Sequence, residues 1–152
     1  SHTDRRNDHE IELAMIIGRT AKGVAYEDAL DYVAGYAIGL DNTLRGFEDR
    51  SLRKSLNSYA VLGPWMTTAD EIENPDDLSF RLTVNDEVRQ DSNTKYLIFD
   101  CRKLIEYASR FYTLFPGDII MTGTPEGVGP LEAGDRLTCE VDIIGRMEID
   151  VR

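Results

Sequence analysis

The architecture of this chain centres on one segment, Glu10-Ile11-Glu12-Leu13-Ala14-Met15-Ile16-Ile17-Gly18. A short apolar run that is closed by a glycine predicts a buried strand over residues 10–18. Alternate side chains of a strand point to the same face, so Glu10 and Glu12 lie together. Neighbouring carboxylates repel each other unless a cation lies between them. The pair therefore suggests a site for a hard divalent ion, although Glu-x-Glu pairs on strands commonly just face water.

A second strand is expected to bring a third carboxylate to this pair. Residues 36–40 have the composition of a strand, and Asp41 follows them directly. If this strand pairs with residues 10–18, Asp41 approaches Glu10 and Glu12. A divalent ion on these three side chains would keep open positions for a substrate.

Composition restricts the class of protein. The chain has 152 residues, 41% of them hydrophobic and 30% charged, which is typical of one soluble globular domain over residues 1–152. A formal net charge of −11 argues against nucleic acid and against an anionic membrane surface. No apolar run approaches the roughly 20 residues needed to span a bilayer. Cys101 and Cys139 lack metal-type spacing, and two thiols without an expected disulfide favour a cytoplasmic location.

The rest of the pattern is β-rich with one long helix, which predicts an α+β fold. Alternation of apolar and polar residues predicts a hairpin over residues 78–90, and residues 136–152 predict another that turns at Gly145. Apolar residues at helical spacing predict the helix over residues 97–112, with a helix-start cluster at residues 91–94.

Three further segments complete the prediction. Residues 42–60 are charged and read as an irregular loop that gathers basic residues, either for a functional purpose or to offset the acidic residues of the same loop. Residues 62–65 predict a tight turn that leads the only tryptophan into the core. The glycines and prolines of residues 124–130 predict a loop whose amides and hydroxyls line a site, but their spacing fits no nucleotide-binding motif.

Taken together, these motifs resemble those of the fumarylacetoacetate hydrolase superfamily, and they occur in order along nearly the whole chain. The matching pieces are Glu10-x-Glu12, Asp41-Asn-Thr-Leu-Arg45, Lys54-Ser55, Leu62-Gly-Pro-Trp65, Val84-Asn-Asp-Glu-Val-Arg-Gln90, Ser92-Asn-Thr94, Pro116-Gly-Asp118 and Thr122-Gly-Thr-Pro-x-Gly-Val-Gly129. The resemblance implies the α+β fold of the fumarylacetoacetate hydrolase C-terminal domain, which is a β-rich mixed sandwich roll with one main helix. Such domains usually assemble as homodimers.

The resemblance also implies the site. Its members hold Mg²⁺ or Mn²⁺ at the positions of Glu10, Glu12 and Asp41 and act on small 2-oxo and diketo acids. By the same matching, Lys54 would be catalytic and would place a positive charge beside the substrate. Arg45 and Thr124 would contact the substrate carboxylate or the ligands that hold the substrate.

The reaction implied is hydrolysis of a carbon–carbon bond in a 2,4-diketo acid of the acylpyruvate or fumarylpyruvate type, through a metal-stabilised enolate. The same site would serve an oxaloacetate decarboxylase or a 2-hydroxyhepta-2,4-diene-1,7-dioate isomerase or decarboxylase, and a sugar-acid dehydratase stays open. Two other interpretations are a non-catalytic domain that binds metal or carboxylate, and a protein whose acidic residues are only surface charge.

This sequence departs from the family pattern at two positions and in one segment. Gly46 stands where many members have an acidic residue, and Glu48 stands where many have glutamine. Glu48 is expected to repel a second substrate carboxylate or to pair with Lys54 or Arg53.

Members also carry general acid–base residues in a lid that precedes the first metal ligand. Neither His2 nor His9 fits that lid pattern, so acid–base catalysis stays unassigned. We expect the catalytic domain of residues 1–152 to be preceded by a lid segment that this sequence lacks.

Overall fold

The structure, a computed structural model, describes residues 4–152, so His2 lies outside the described part. Its strands are β1 (Asn7–His9), β2 (Ile11–Ile17), β3 (Val33–Asp41), β4 (Thr43–Leu44), β5 (Ala60–Thr68), β6 (Ser79–Val84), β7 (Glu87–Asn93), β8 (Ile119–Met121), β9 (Gly129–Leu131), β10 (Arg136–Val141) and β11 (Gly145–Asp150). Its α-helices are α1 (Arg50–Lys54) and α2 (Cys101–Phe111), and short 3₁₀ turns span Tyr26–Tyr32, Ala69–Glu71 and Thr94–Tyr96.

The strands form three sheets, ordered β5-β3-β2-β8, β11-β10-β6-β7 and β4-β1-β9. The two four-stranded sheets pack face to face, with β2 against β6 and β3 against β10. One apolar cluster fills the space between them and includes buried side chains of β2, β3, β6 and β10. The predicted β-rich α+β sandwich with one main helix is confirmed.

The two predicted site strands pair as expected. β2 is buried at all but one of its seven residues, which explains the continuous apolar run. β2 and β3 are antiparallel, with Ile11 opposite Leu40 and Glu12 opposite Gly39. The Asp41 main-chain N–H donates to the Glu10 carbonyl at 2.9 Å, so the end of β3 lies beside the start of β2.

The predicted hairpins are also present, as β6–β7 and β10–β11. The helix, however, begins later than predicted. Residues 91–93 continue β7, where Asp91 pairs with Arg81 of β6, and α2 begins only at Cys101 behind the capping side chain of Asp100. The cluster at residues 91–94 is therefore wrong as the start of α2, although Asn93 caps the 3₁₀ turn Thr94–Tyr96 by accepting from the Lys95 N–H at 2.9 Å.

Two other predictions are corrected. Residues 62–65 form no tight turn, because β5 runs through them as an edge strand paired with β3. Trp65 is 58% exposed rather than in the core, and its ring lies over Gly145 of the neighbouring hairpin. Residues 42–60 are not wholly irregular, since they contain β4 and α1. Within residues 4–152, none of the helices has the length and apolar character that crossing a membrane requires.

Candidate metal centre

Glu10, Glu12 and Asp41 form one carboxylate cluster at the end where β2 begins and β3 ends. Each offers an oxygen that lies within 4.8 Å of the other two. Glu12 is 4% exposed and Glu10 is 8% exposed. Three acidic groups held this close, and mostly out of water, require a compensating cation.

Glu12 is the most buried carboxylate of the cluster. Burial raises the pKa of Glu12 to about 7, even though the Gly123 main-chain N–H donates to its Oε2 at 2.6 Å. Gly123 has a φ of +108°, and this left-handed conformation favours glycine at the position. The loop that follows β8 is thus attached directly to a cluster carboxylate.

Lys54, at the end of α1, supplies the positive charge that the sequence predicted at this site. Its Nζ donates to Glu10 Oε2 at 2.8 Å and to the Asp41 carbonyl at 3.2 Å, and it also contacts Asp41 Oδ2. Burial opposes the charged form, but the hydrogen bonds to Asp41 and Glu10 raise the pKa of Lys54 above its ordinary value. Lys54 is therefore a charged neighbour of two of the three carboxylates.

Arg45 reaches the cluster from outside it. Its Nη2 lies 3.7 Å from Glu10 Oε1, while its Nε donates to Asp8 Oδ2 at 2.6 Å. Asp8 is fully buried, and the hydrogen bonds from Arg6 and Arg45 outweigh this burial and lower the pKa of Asp8. Arg45 thus contacts a ligand candidate, which is one of the two roles that the resemblance gave it. Asp8 had no recognisable sequence signal.

Thr124 lies next to the cluster, but its hydroxyl is already engaged. The hydroxyl donates to the Ile11 carbonyl at 2.8 Å and accepts from Gln90 Nε2 at 2.8 Å. The single hydrogen of the Thr124 hydroxyl is therefore not available to a substrate. Gln90, which sequence reasoning placed only in a matching motif, is a further residue of this site.

The two departures from the family pattern, Gly46 and Glu48, have a common structural partner in Arg5. The Arg5 guanidinium donates to both Glu48 carboxylate oxygens at 2.8 Å, so the Glu48 carboxylate pairs with Arg5 and not with Lys54 or Arg53. Arg53 Nε donates instead to the Glu48 main-chain carbonyl at 2.9 Å. This ion pair lowers the pKa of Glu48 to about 2. A Cβ on residue 46 would lie 1.7 Å from Arg5 Nη2, and the absence of a side chain there therefore gives Arg5 room.

His9, which follows no lid pattern in the sequence, is fully buried. Its Nδ1 lies 3.0 Å from Gln90 Oε1, and burial lowers the pKa of His9. Its Nε2 has no hydrogen-bond partner among residues 4–152. A neutral histidine without access to solvent is poorly placed to exchange protons with a substrate.

A cavity of about 620 Å³ adjoins the loop that holds Glu12. Residues 122–124 form one of its walls, and Phe80, Leu97 and Phe99 form an apolar wall. The cavity is large enough for a small organic acid, and it lies against the loop whose Gly123 amide contacts the cluster.

A β-sandwich that holds three carboxylates and a lysine around one point is the framework of a divalent-cation site. The chain belongs to the fumarylacetoacetate hydrolase family, because residues 2–152 match the domain described as Fumarylacetoacetate (FAA) hydrolase C-terminal. The family resemblance inferred from the motifs is confirmed.

Named relatives agree with this placement. The chain is 57% identical over 152 residues to maleylpyruvate hydrolase of Aquipseudomonas alcaligenes, covering 100% of this chain and 53% of that protein. It is 40% identical to the mitochondrial oxaloacetate tautomerase fahd2 of Xenopus laevis, covering 91% of this chain and 47% of that protein. The chain spans about half the length of these relatives.

A solved structure shows what one relative binds. Maleylpyruvate hydrolase from Sphingobium sp. SYK-6, in complex with manganese(II) ion and pyruvate, superimposes with a TM-score of 0.93 at 49% sequence identity. The match covers 97% of this chain and 55% of that one.

Proposed function

We propose that this chain is the catalytic domain of a divalent-metal-dependent hydrolase that cleaves a carbon–carbon bond in an acylpyruvate of the maleylpyruvate or fumarylpyruvate type. The observation that carries the proposal is the cluster of Glu10, Glu12 and Asp41, within a chain 49% identical to a hydrolase that binds Mn²⁺ and pyruvate. Pyruvate is one product when water cleaves an acylpyruvate, and the other is a carboxylic acid.

The cluster fits Mg²⁺ or Mn²⁺ on chemical grounds. Its members are all carboxylates, which are hard oxygen donors that suit these ions and leave positions for water or substrate. Glu10, Glu12 and Asp41 would hold the ion, which when bound would polarise the carbonyl groups of a 2-oxo acid.

Residues of this chain would hold and orient the substrate. Lys54, already charged at the edge of the cluster, would attract the substrate carboxylate into a protein of net charge −11. Arg45 would keep Glu10 in place through its contact at 3.7 Å. The main-chain N–H of Thr124 would donate to the substrate, and the cavity beside residues 122–124 would receive the acyl part.

A second candidate keeps this site and changes the reaction. The similarity to an oxaloacetate tautomerase favours a 2-oxo dicarboxylic acid whose carbon skeleton survives. The oxaloacetate decarboxylase, which removes CO₂, and the dienedioate isomerase or decarboxylase stay predictions for this same site. We prefer the hydrolase because the identity to maleylpyruvate hydrolase is higher, at 57% against 40%.

A homodimer and a cytoplasmic location are also part of the proposal. Both cysteines are buried and form no disulfide, which supports a reducing compartment. Sedimentation measurements would test the homodimer directly.

The proposal is tested by Mn²⁺ titration, followed by pyruvate, with thermal unfolding as the readout. At about 100 times its dissociation constant a ligand adds roughly 2.7 kcal/mol of stability. We expect Mn²⁺ to stabilise the wild-type chain, pyruvate to stabilise it further, and Asp41→Asn to lose both effects. Asp150→Asn, an exposed residue of β11, removes the same charge elsewhere and should respond like the wild type.

Release of pyruvate from maleylpyruvate and fumarylpyruvate, followed by a coupled assay, tests the reaction itself. For the second candidate, the ultraviolet absorbance of the enol form of oxaloacetate tests tautomerisation, and pyruvate release from oxaloacetate tests decarboxylation. No thermal response to Mn²⁺ in the wild type would reject the metal site and the hydrolase together.

A further inference from the structure

Among residues 4–152, no strand pairs with one edge of β2 at the end that carries the glutamates. β3 pairs along the other edge through residues 11–17, whereas β8 begins to pair only at Ala14. The Asp41 N–H donates to the Glu10 carbonyl on the β3 side. Because adjacent residues of a strand direct their main-chain groups to opposite edges, the N–H and carbonyl of Ile11 point to the edge without a strand.

Side chains occupy the place of the missing strand. The Ile11 N–H donates to Gln90 Oε1 at 3.1 Å, and the Ile11 carbonyl accepts from Thr124 Oγ1 at 2.8 Å. Ile11 lies between Glu10 and Glu12, so its two main-chain bonds fix the peptide units from which both glutamate side chains project.

The side-chain amide of Gln90 uses all of its hydrogen-bonding positions within the protein. It is 1% exposed, and its Nε2 donates to Thr124 Oγ1 at 2.8 Å and to the Pro125 carbonyl at 3.0 Å. Its oxygen must face the Ile11 N–H, which fixes the orientation of the amide. The same oxygen requires the Nδ1 of His9 to be the donor, so His9 is held as the tautomer with the proton on Nδ1.

The loop after β8 is attached through the same amide. Gln90 holds Thr124 and Pro125, and the Gly123 N–H next to them donates to Glu12 Oε2 at 2.6 Å. One side chain of β7, in the opposite sheet, thus connects the strand that carries two metal ligands to the loop that binds one of them.

We propose that Gln90 is a positioning residue for the metal centre, acting through Ile11 and Thr124 rather than by touching the metal or the substrate. This inference rests on the proposed function, since it assumes that Glu10 and Glu12 bind the ion. Residues that orient metal ligands typically change metal affinity about 10- to 100-fold when they are removed.

The test is the dissociation constant of Mn²⁺, measured by electron paramagnetic resonance of the free ion. Gln90→Met keeps length and removes all four hydrogen bonds, and Thr124→Val removes the second anchor of Ile11 with little change of shape. We expect both variants to bind Mn²⁺ at least about tenfold more weakly than the wild type. Thr124→Ser keeps the hydroxyl and should restore affinity close to the wild-type value.

Ser109→Ala is the matched control for general destabilisation. Ser109 is fully buried in α2, and its Oγ accepts from the Val24 N–H at 3.0 Å, so this variant also loses a buried main-chain contact. It should unfold more easily but bind Mn²⁺ as the wild type does.

The outcomes separate the two proposals. If wild-type protein binds no Mn²⁺, the proposed function fails and this inference fails with it. If the wild type binds but Thr124→Val and folded Gln90→Met bind within about twofold of it, Gln90 is only structural and the inference alone is overturned. If Gln90→Met does not fold, the Mn²⁺ affinities of Thr124→Val and Thr124→Ser decide between the two outcomes. Equal affinities overturn the inference, and weaker binding by Thr124→Val alone supports it.

Discussion

The Nζ of Lys54 lies 2.8 Å from Oε2 of Glu10. The same ammonium contacts Asp41 Oδ2, so a side-chain cation stands between two carboxylates proposed to hold a metal. A divalent ion that binds these oxygens must compete with Lys54 or share them with it. If Lys54 gave up these contacts to a bound ion, its ammonium would be available to an anionic substrate.

Replacing Lys54 with methionine should therefore separate metal binding from substrate binding. We expect Lys54→Met to unfold at a lower temperature without metal, because its carboxylates lose their counter-charge. We expect Mn²⁺ to bind about tenfold more tightly, a difference of roughly 1.4 kcal/mol, and the additional stabilisation by pyruvate to be lost. Calorimetric titration of Mn²⁺ and then of pyruvate measures both.

Lys103→Met is the control, because Lys103 makes an exposed pair with Glu106 on α2. Exposed ion pairs contribute little to stability, so the Mn²⁺ and pyruvate titrations of Lys103→Met should match those of the wild type. Weaker Mn²⁺ binding in Lys54→Met would show instead that Lys54 holds the ligands in position for the ion.

Metal binding should depend on pH through Glu12, whose pKa is raised to about 7. A raised carboxyl pKa favours the protonated group in the folded protein, so this group lowers metal-free stability as pH rises from its ordinary pKa of 4.5 toward 7. The ion requires the carboxylate, and protons therefore compete with it below about pH 7.

We expect the increase in unfolding temperature caused by Mn²⁺ to be small at about pH 6 and to reach its full size by about pH 8. The unfolding temperature is compared with and without the ion at each pH. This difference removes the contribution of other titrating groups, such as His9, whose pKa is lowered. An increase that stays constant across this range would contradict the role given to Glu12.

The strands and the carboxylate cluster were predictable because their signals are local. The apolar run of β2 and the acidic residues at its start lie within nine positions, and pairing with the next strand in sequence brings Asp41 to them. Gln90 was not predictable in this way, because it contacts Ile11 across 79 positions of sequence. Its role depends on how the two sheets pack.

The helix start was mispredicted for a similar reason. Polar residues at positions 91–94 resemble a helix cap in sequence, but they cap only the short 3₁₀ turn Thr94–Tyr96, through Asn93, and the Thr94 hydroxyl makes tertiary contacts instead. Thr94 is 1% exposed, and its hydroxyl accepts from the Leu78 N–H at 2.9 Å and donates to the Pro75 carbonyl at 2.8 Å. A residue that satisfies two main-chain groups elsewhere does not serve as a helix cap.

Thr94→Val tests this role with almost no change of shape. We expect it to lower the free energy of unfolding by about 1–3 kcal/mol, because two buried main-chain groups lose their partner. Urea unfolding should show a lower midpoint with an unchanged slope. Thr94→Ser should keep most of the stability, and equal midpoints for the valine and serine variants would show that the hydroxyl contributes nothing.

The contact between the loop after β8 and β7 provides the last prediction. Gly127 has a φ of +95°, and a Cβ there would lie 1.9 Å from the Arg89 carbonyl oxygen. Gly134 has a similar φ of +99°, but a Cβ there would meet nothing within 4 Å. Both Gly→Ala variants incur the strain of a left-handed conformation, about 1–2 kcal/mol, but only Gly127→Ala also pushes the loop away from β7.

We therefore expect Gly127→Ala to lose more stability than Gly134→Ala and, unlike it, to weaken Mn²⁺ binding by about tenfold. The reason is that displacement of residue 127 disturbs Thr124 and Pro125, which Gln90 holds only two to three positions earlier. Thermal unfolding and Mn²⁺ titration of both variants measure the two effects. Equal Mn²⁺ affinities would mean that the loop can leave β7 without moving Glu12, and that its docking serves stability alone.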